Sequence, residues 1–255
     1  MKISVLNAAL GFKRLVWPLF LTGFLFTTLT AFKFSSPPRV LIFSRTCGFH
    51  HTSIPAGIAA IQQLGKINGF ETDTTTDNGW FTPENLKKYK AVIFLNTTDT
   101  SDVLLNPEQK TAFIHYINSG GGFVGVHAAS DAEYQWEWYG KLVGAYFTKH
   151  PKIQQAVLHV VDPKNIATRH LPKEWTRTDE WYNFKNIGKD LHVLLTIDES
   201  TYQGGTNGSF HPMAWYHEFD GGRAFYTELG HTAESYSDPL YLNHLLGGIL
   251  YAMGK

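Results

Sequence analysis

Twelve histidines are spread through the 255 residues, and a few stand where side chains do chemistry. The stretch GGGFVGVHAAS (120–130) reads as a helix end, a short buried strand over 123–126, and a sharp turn that presents His127. Such a turn thrusts one side chain out of a sheet and leaves backbone N–H groups nearby. Hydrolases place a Ser there and use the amides as an oxyanion hole. Here the side chain is an imidazole, suited to act as general base, general acid or metal ligand. It is equally able to be a hydrogen-bonded structural group at a strand end. Asp131, four residues on, adds a carboxylate to the same loop.

Other candidates lie in three blocks. GFHHTS (48–53) supplies His50 and His51, of which one can point into a site and the other to solvent. Adjacent residues rarely ligate one metal together, so the pair is no metal motif by itself. DEWYNF (179–184) offers Glu180 as acid or base, with Trp181 and Tyr182 able to stack on a sugar ring; it also reads as an acidic loop covering the core. The last block holds His211, His217, Glu228, His231 and Glu234. On a strand, His217 and Glu218 face opposite sides, so only one can share a site face. His231 falls just beyond a predicted strand end, where loops carry function. His115, His159, His192 and His244 sit inside predicted elements and read as packing or surface residues. A divalent metal, zinc, held by imidazole nitrogens and a carboxylate is the cofactor these residue types would suit.

The elements that must position these groups begin with RVLIFS (39–44), an unbroken apolar strand of the kind covered on both faces of a parallel sheet. Thr52 or Ser53 can cap a helix over 54–67, with Pro55 in its first turn. Strands are predicted at 70–77 and 91–96, then a helix opened by Asn106 and Pro107 and stopped by the glycine triplet. This alternation predicts a doubly wound parallel sheet with ligands beyond the carboxyl ends of its strands. The informative positions are therefore 45–51, 96–102 and 127–131. The second half predicts additional β-strands at 152–162, 191–198, 213–219 and 222–229. Asp220, Gly221 and Gly222 lie in a hairpin turn, and a helix closes the chain over 238–254.

Lys plus Arg equals Asp plus Glu at 22 each, which gives no electrostatic pull toward nucleic acid or anionic membranes. The aromatic content of 15% fits a well-buried core and aromatic-lined pockets. One cysteine, Cys47, excludes an intrachain disulfide and a thiolate-rich metal site. GxSxG, HExxH and P-loop patterns are absent, and GGGFVG precedes a strand where a dinucleotide fingerprint follows one. Residues 1–36 have a basic start and an apolar run over 15–32, the pattern of a signal peptide or an uncleaved signal anchor. Export to the periplasm or beyond is expected, with membrane attachment only if that segment stays uncleaved. Residues 37–255 form the folded domain.

Taken in order, RVLIFSRTCGFHHTSIPAGI, YKAVIFLNTT, GGGFVGVHAASD, DEWYNF, PMAWYHEFDGGRAFYTELGHT and HLLGGILYAMG resemble the ThuA-like (trehalose utilisation) family across residues 39–254. The resemblance implies a flavodoxin-like, class I glutamine amidotransferase-like α/β fold. In amidotransferases a nucleophilic Cys occupies the elbow that His127 holds here, so glutamine hydrolysis is not expected. His231 falls near the amidotransferase histidine, and His51 matches a family histidine, while His50 stands where an arginine is usual. The resemblance also implies carbohydrate chemistry on keto-sugars or disaccharides by His and carboxylate acid–base catalysis, with sugar dehydrogenases as partners. The expected catalytic set is His127, His231, Glu180 and Asp131; the expected sugar contacts are His50, His51, Trp181, Tyr182 and His217. A non-catalytic sugar-binding or docking domain, using Trp80, Trp136, Trp138, Trp181 and Tyr182 as stacking surfaces, is the other expectation.

Overall fold

Two runs without a single polar residue, Val40–Phe43 and Ala91–Leu95, are completely buried, as strands covered on both faces must be. In the computed structural model, which describes residues 36–255, they belong to the elements β1 (Arg39–Phe43), α1 (Ile54–Asn68), β2 (Glu71–Thr75), α2 (Pro83–Leu86), β3 (Ala91–Leu95), α3 (Pro107–Asn118) and β4 (Gly122–Val126). The expected leader over residues 1–36 lies, except for its last residue, outside the described residues. The chain continues through α4 (Glu137–Val143), β5 (Tyr146–Lys149), β6 (Gln154–Val160), β7 (Glu174–Asp179), β8 (Asn183–Lys185), β9 (His192–Ile197), β10 (Pro212–Phe219), β11 (Gly222–Thr227) and α5 (Pro239–Ala252).

Nine strands form one sheet in the order β2-β1-β3-β4-β11-β10-β9-β6-β7. The first five are parallel, in the flavodoxin order with β11 as the fifth strand. The remaining four extend the sheet with antiparallel pairs. Between β1 and β3 the strand order reverses, and the loops after β1, β3 and β4 leave the same edge of the sheet; β11, parallel to β4, sends its own loop there as well. That edge is where an open α/β sheet binds its ligands.

Local chemistry explains the joints. Asn106 and Gln109 form a reciprocal capping box at the start of α3. The β10–β11 hairpin turns on Asp220 and Gly221 alone, both at positive φ, while Gly222 already pairs with Phe219. Phe94 lies at the centre of the aromatic core, stacked on Phe113 at 5.5 Å, edge-on to Phe81 and Phe123 and tilted against Phe43. Each such buried ring stabilises the fold by about 1.5–3 kcal/mol. Three elements were not apparent in the sequence: α4 and the two short strands β5 and β8, which pair only with each other. β7 has no signal in the sequence either, because its inward positions are Trp175, Arg177 and Asp179. Two polar residues out of three on the buried face erase the hydrophobic alternation. No helix among the described residues is long and apolar enough to cross a membrane.

Candidate active site

His127 closes β4 in the left-handed region, at φ +46°, and is fully buried. A non-glycine residue held there is strained, and the surroundings hold it. The Tyr226 hydroxyl donates to its carbonyl at 2.7 Å, and its own Nδ1–H donates to the Glu228 carbonyl at 2.6 Å. Gly125 must be glycine for this turn to close, since a Cβ would come within 2.8 Å of the Tyr226 ring. A carbonyl can only accept, so the proton of neutral His127 sits on Nδ1 and the Nε2 lone pair faces inward. It meets His231 Nδ1 at 3.1 Å and Glu180 Oε2 at 3.5 Å, and His231 Nδ1 lies 3.0 Å from the same carboxylate oxygen. His51 completes the group, its ring edge-on to those of His127 and His231 with centroids 5.0 and 5.1 Å apart. One donor atom from each of His51, His127, Glu180 and His231 lies within 4.8 Å of the others.

Four separate segments supply these side chains. His51 follows β1, where Ser53 heads α1; the Ser53 hydroxyl makes no cap bond and instead joins Asn96 and Gly230. His231 follows β11 through Gly230, at φ +112°, where a Cβ would lie 2.4 Å from the Tyr241 hydroxyl. Glu180 comes from the connection between β7 and β8, which returns to the end of β11: Tyr182 N–H donates to Glu228 Oε1 at 3.0 Å. His211 holds the same connection by donating from Nε2 to the Tyr182 carbonyl at 2.7 Å.

Burial opposes charge on Glu180, but the neighbouring imidazoles of His127 and His231 outweigh it and hold the carboxyl far below its usual range. Burial, reinforced by His127 and His231, keeps His51 neutral. Glu228 is fully buried; burial and the charge of Asp179 push its carboxyl well up.

The group forms the base of a cavity of about 340 Å³. His51, Glu180 and His231 line it, with Phe49, Phe147 and Tyr182 as aromatic walls and Asp131 and His150 as further polar groups. Burial raises the Asp131 carboxyl, in part offset by the hydroxyl that Tyr134 donates to it. His150, which no sequence signal marked, shares its Nδ1–H between Glu180 Oε1 at 3.0 Å and the Pro151 carbonyl at 2.9 Å. Phe49 and Phe147 were likewise not apparent, since lone aromatics beside loops have no pattern.

Three expected sugar contacts fall elsewhere. His50 is exposed and pairs with Thr46 Oγ1, pointing away while its neighbour His51 turns in. Trp181 is fully buried and donates its Nε1–H to the Gln154 carbonyl, so it has no face for a sugar. His217 pairs with Ala224 at the start of β11 and donates to the Leu142 carbonyl. Because β10 runs antiparallel, its late residues sit at the opposite edge of the sheet. Trp136 and Trp138 stack on each other against the core and are not among the residues that line the cavity. Tyr182 is the one expected aromatic that does, its ring 4.3 Å from that of His127.

A flavodoxin-like parallel sheet with a buried imidazole at the turn after its fourth strand defines the class of fold and site that this chain presents. Residues 39–252 match the model of the ThuA family, described as trehalose utilisation, and the chain belongs to that family. Membership gives it a carbohydrate-related role. A ThuA-like protein of Bacteroides uniformis is 25% identical, with a TM-score of 0.72 over 86% of this chain and 93% of that one. A second, from Parabacteroides merdae, is 19% identical with a TM-score of 0.68 over 86% and 91%. A cytoplasmic protein of Salmonella typhimurium shares the fold at 11% identity, with a TM-score of 0.60 over 84% and 98%. No curated protein matches the chain.

Proposed function

We propose that this protein is an exported carbohydrate-processing enzyme that moves protons beside the carbonyl group of a keto-sugar, leading to isomerisation, elimination or glycosidic cleavage. One observation carries the reading: an imidazole–carboxylate group is buried at the base of a cavity whose walls are aromatic and whose further polar groups are Asp131 and His150. Pockets of this size suit small molecules, and Phe49 and Phe147 offer ring faces to the apolar side of a sugar, with the buried Tyr182 ring packed behind them. Asp131 is the base in this scheme. Its raised carboxyl, facing the cavity without a cationic partner in its hydrogen bonds, takes a proton from the carbon next to the ketone. The charge that then develops on the carbonyl oxygen needs a proton or a cation at the base of the cavity, which His51 and His231 line. A pocket lined by three histidines and two carboxylates favours catalysis over passive binding, for which aromatic surfaces alone would suffice.

The test is product analysis after incubation with 3-keto disaccharides and their unoxidised parents, comparing wild type with His127→Ala and Asp131→Asn. Turnover should require the keto form and fall in both variants. Turnover unchanged in Asp131→Asn, with the fold verified by circular dichroism, would remove the base from this scheme.

A further inference from the structure

We propose that His51, His127, His231 and Glu180 form a mononuclear site for a first-row divalent metal ion of the zinc type. The spacing of the donors is the first argument. An ion about 2.0–2.1 Å from tetrahedral nitrogen and oxygen ligands sets those ligands roughly 3.3 Å apart. His127 Nε2, His231 Nδ1 and Glu180 Oε2 are separated by 3.0, 3.1 and 3.5 Å. Ordinary packing of three imidazoles does not require one nitrogen from each ring and a carboxylate oxygen to converge within 4.8 Å.

The direction of the lone pairs is the second argument. His127 spends its only proton on the Glu228 carbonyl, so its inward nitrogen is an acceptor. His51 is 3% exposed, and its Nδ1 finds no hydrogen-bond partner among the described residues. A buried ring nitrogen without a partner costs stability unless something satisfies it. His231 Nδ1 lies between His127 Nε2 and Glu180 Oε2, where a proton bridges two acceptors and a bound ion would take its place.

The third argument is the layer behind the ligands. Metal-bound histidines donate their second N–H to a carbonyl or carboxylate, and metal-bound carboxylates are themselves hydrogen-bonded. His127 has the Glu228 carbonyl, Glu180 Oε1 has His150, and the backbone N–H of Glu180 is held by Asp179 Oδ1 at 3.0 Å. The donor set has three nitrogens, one oxygen and no sulfur, which suits zinc, manganese, cobalt or ferrous iron. Three of the four ligands line the cavity, leaving an ion accessible to a ligand from that side. There it would polarise a sugar carbonyl or hydroxyl oxygen. In this respect the inference deepens the sugar-processing reading and rests on it, but the metal site itself can be tested alone.

The experiment uses the folded chain purified without chelator, assayed by inductively coupled plasma mass spectrometry. After stripping with EDTA it is titrated calorimetrically with Zn²⁺, Mn²⁺ and Co²⁺, and the Co²⁺ form is followed by visible absorption. Wild type should take up one ion per chain. His231→Ala and Glu180→Gln should weaken binding by at least about a hundredfold, while Asp131→Asn and His217→Gln keep it. Melting of each metal-free variant shows that it is folded. No uptake of any of the three ions, or uptake unchanged in both ligand variants, would overturn the site. Turnover of a keto-sugar is read separately: one ion bound without turnover leaves the metal site standing and removes the sugar reading.

Discussion

Replacing Asp179 by asparagine should loosen both loops that carry Glu180 and His231. The carboxylate is fully buried and every neighbour donates to it: Glu180 N–H to Oδ1, and Arg177 Nη2, Gly230 N–H and the Ser235 hydroxyl to Oδ2 at 2.9, 3.2 and 3.3 Å. In Asp179→Asn the amino group must therefore face a donor. The least costly orientation keeps the oxygen on the three-donor side and leaves Glu180 N–H without a partner, at a cost of about 1–3 kcal/mol. Arg177, 9% exposed, also loses its charged partner at 2.9 Å; its other carboxylate, Asp238, is 3.5 Å away. Breaking a buried ion pair from one side costs about 3–5 kcal/mol, which serves as the total. For a domain of this size each kcal/mol lowers the melting temperature by roughly 2–4 °C, so a fall of about 6–20 °C is expected. Urea unfolding followed by tryptophan fluorescence measures the loss directly. A loss under about 1 kcal/mol would mean that Asp179 does not hold the two loops, and the reasoning would fail.

Three further outcomes are expected. His244 is fully buried between the Ala167 carbonyl and Thr227 Oγ1, and burial pushes its pKa down to about 4. The unfolded chain binds this proton near pH 6.5, so the contribution is complete above that pH and is lost as pH falls toward the folded value. Roughly 2 kcal/mol should disappear between about pH 7 and about pH 5, and a urea-midpoint series should flatten in His244→Gln if the residue is responsible. Gly230→Ala forces a side chain onto the Tyr241 hydroxyl at a φ that L residues avoid. A loss of about 2–4 kcal/mol, read by calorimetric melting, is expected; a neutral result would show that the loop relaxes. Phe49, 65% exposed at the cavity, should affect ligand affinity and not stability when changed to alanine, whereas Trp181→Phe should cost about 1 kcal/mol of stability and leave sugar affinity unchanged. Ligand titration beside urea unfolding separates the two, and the opposite pattern would reverse their roles.

Much of the scaffold is legible residue by residue. VLIF, AVIFL and FVGV are uninterrupted apolar runs, and only a strand covered on both faces needs them. Asn106-Pro107 opens α3 and Asp220-Gly221 turns the hairpin because their own side chains and φ preferences act locally. β7 is not legible, since Arg177 and Asp179 face inward to serve an ion pair that forms only after folding. The site divides in the same way. Position after a strand marked His51, His127 and His231, whereas His150 follows β5, a short strand that itself has no signal in the sequence.

By itself, the sequence determined a flavodoxin-like sheet, an elbow without a nucleophile, and a set of imidazoles and carboxylates on loops. These follow from local periodicity, turn chemistry and residue type, which each segment carries wherever it sits. Only the tertiary structure decided which members of that set meet. It turned His51 inward and His50 outward, brought Glu180 to the end of β11, and sent His217 to the far edge because β10 runs antiparallel. Convergence of four side chains from four loops depends on strand order and direction. Those are properties of the whole sheet, and no short stretch of the chain encodes them.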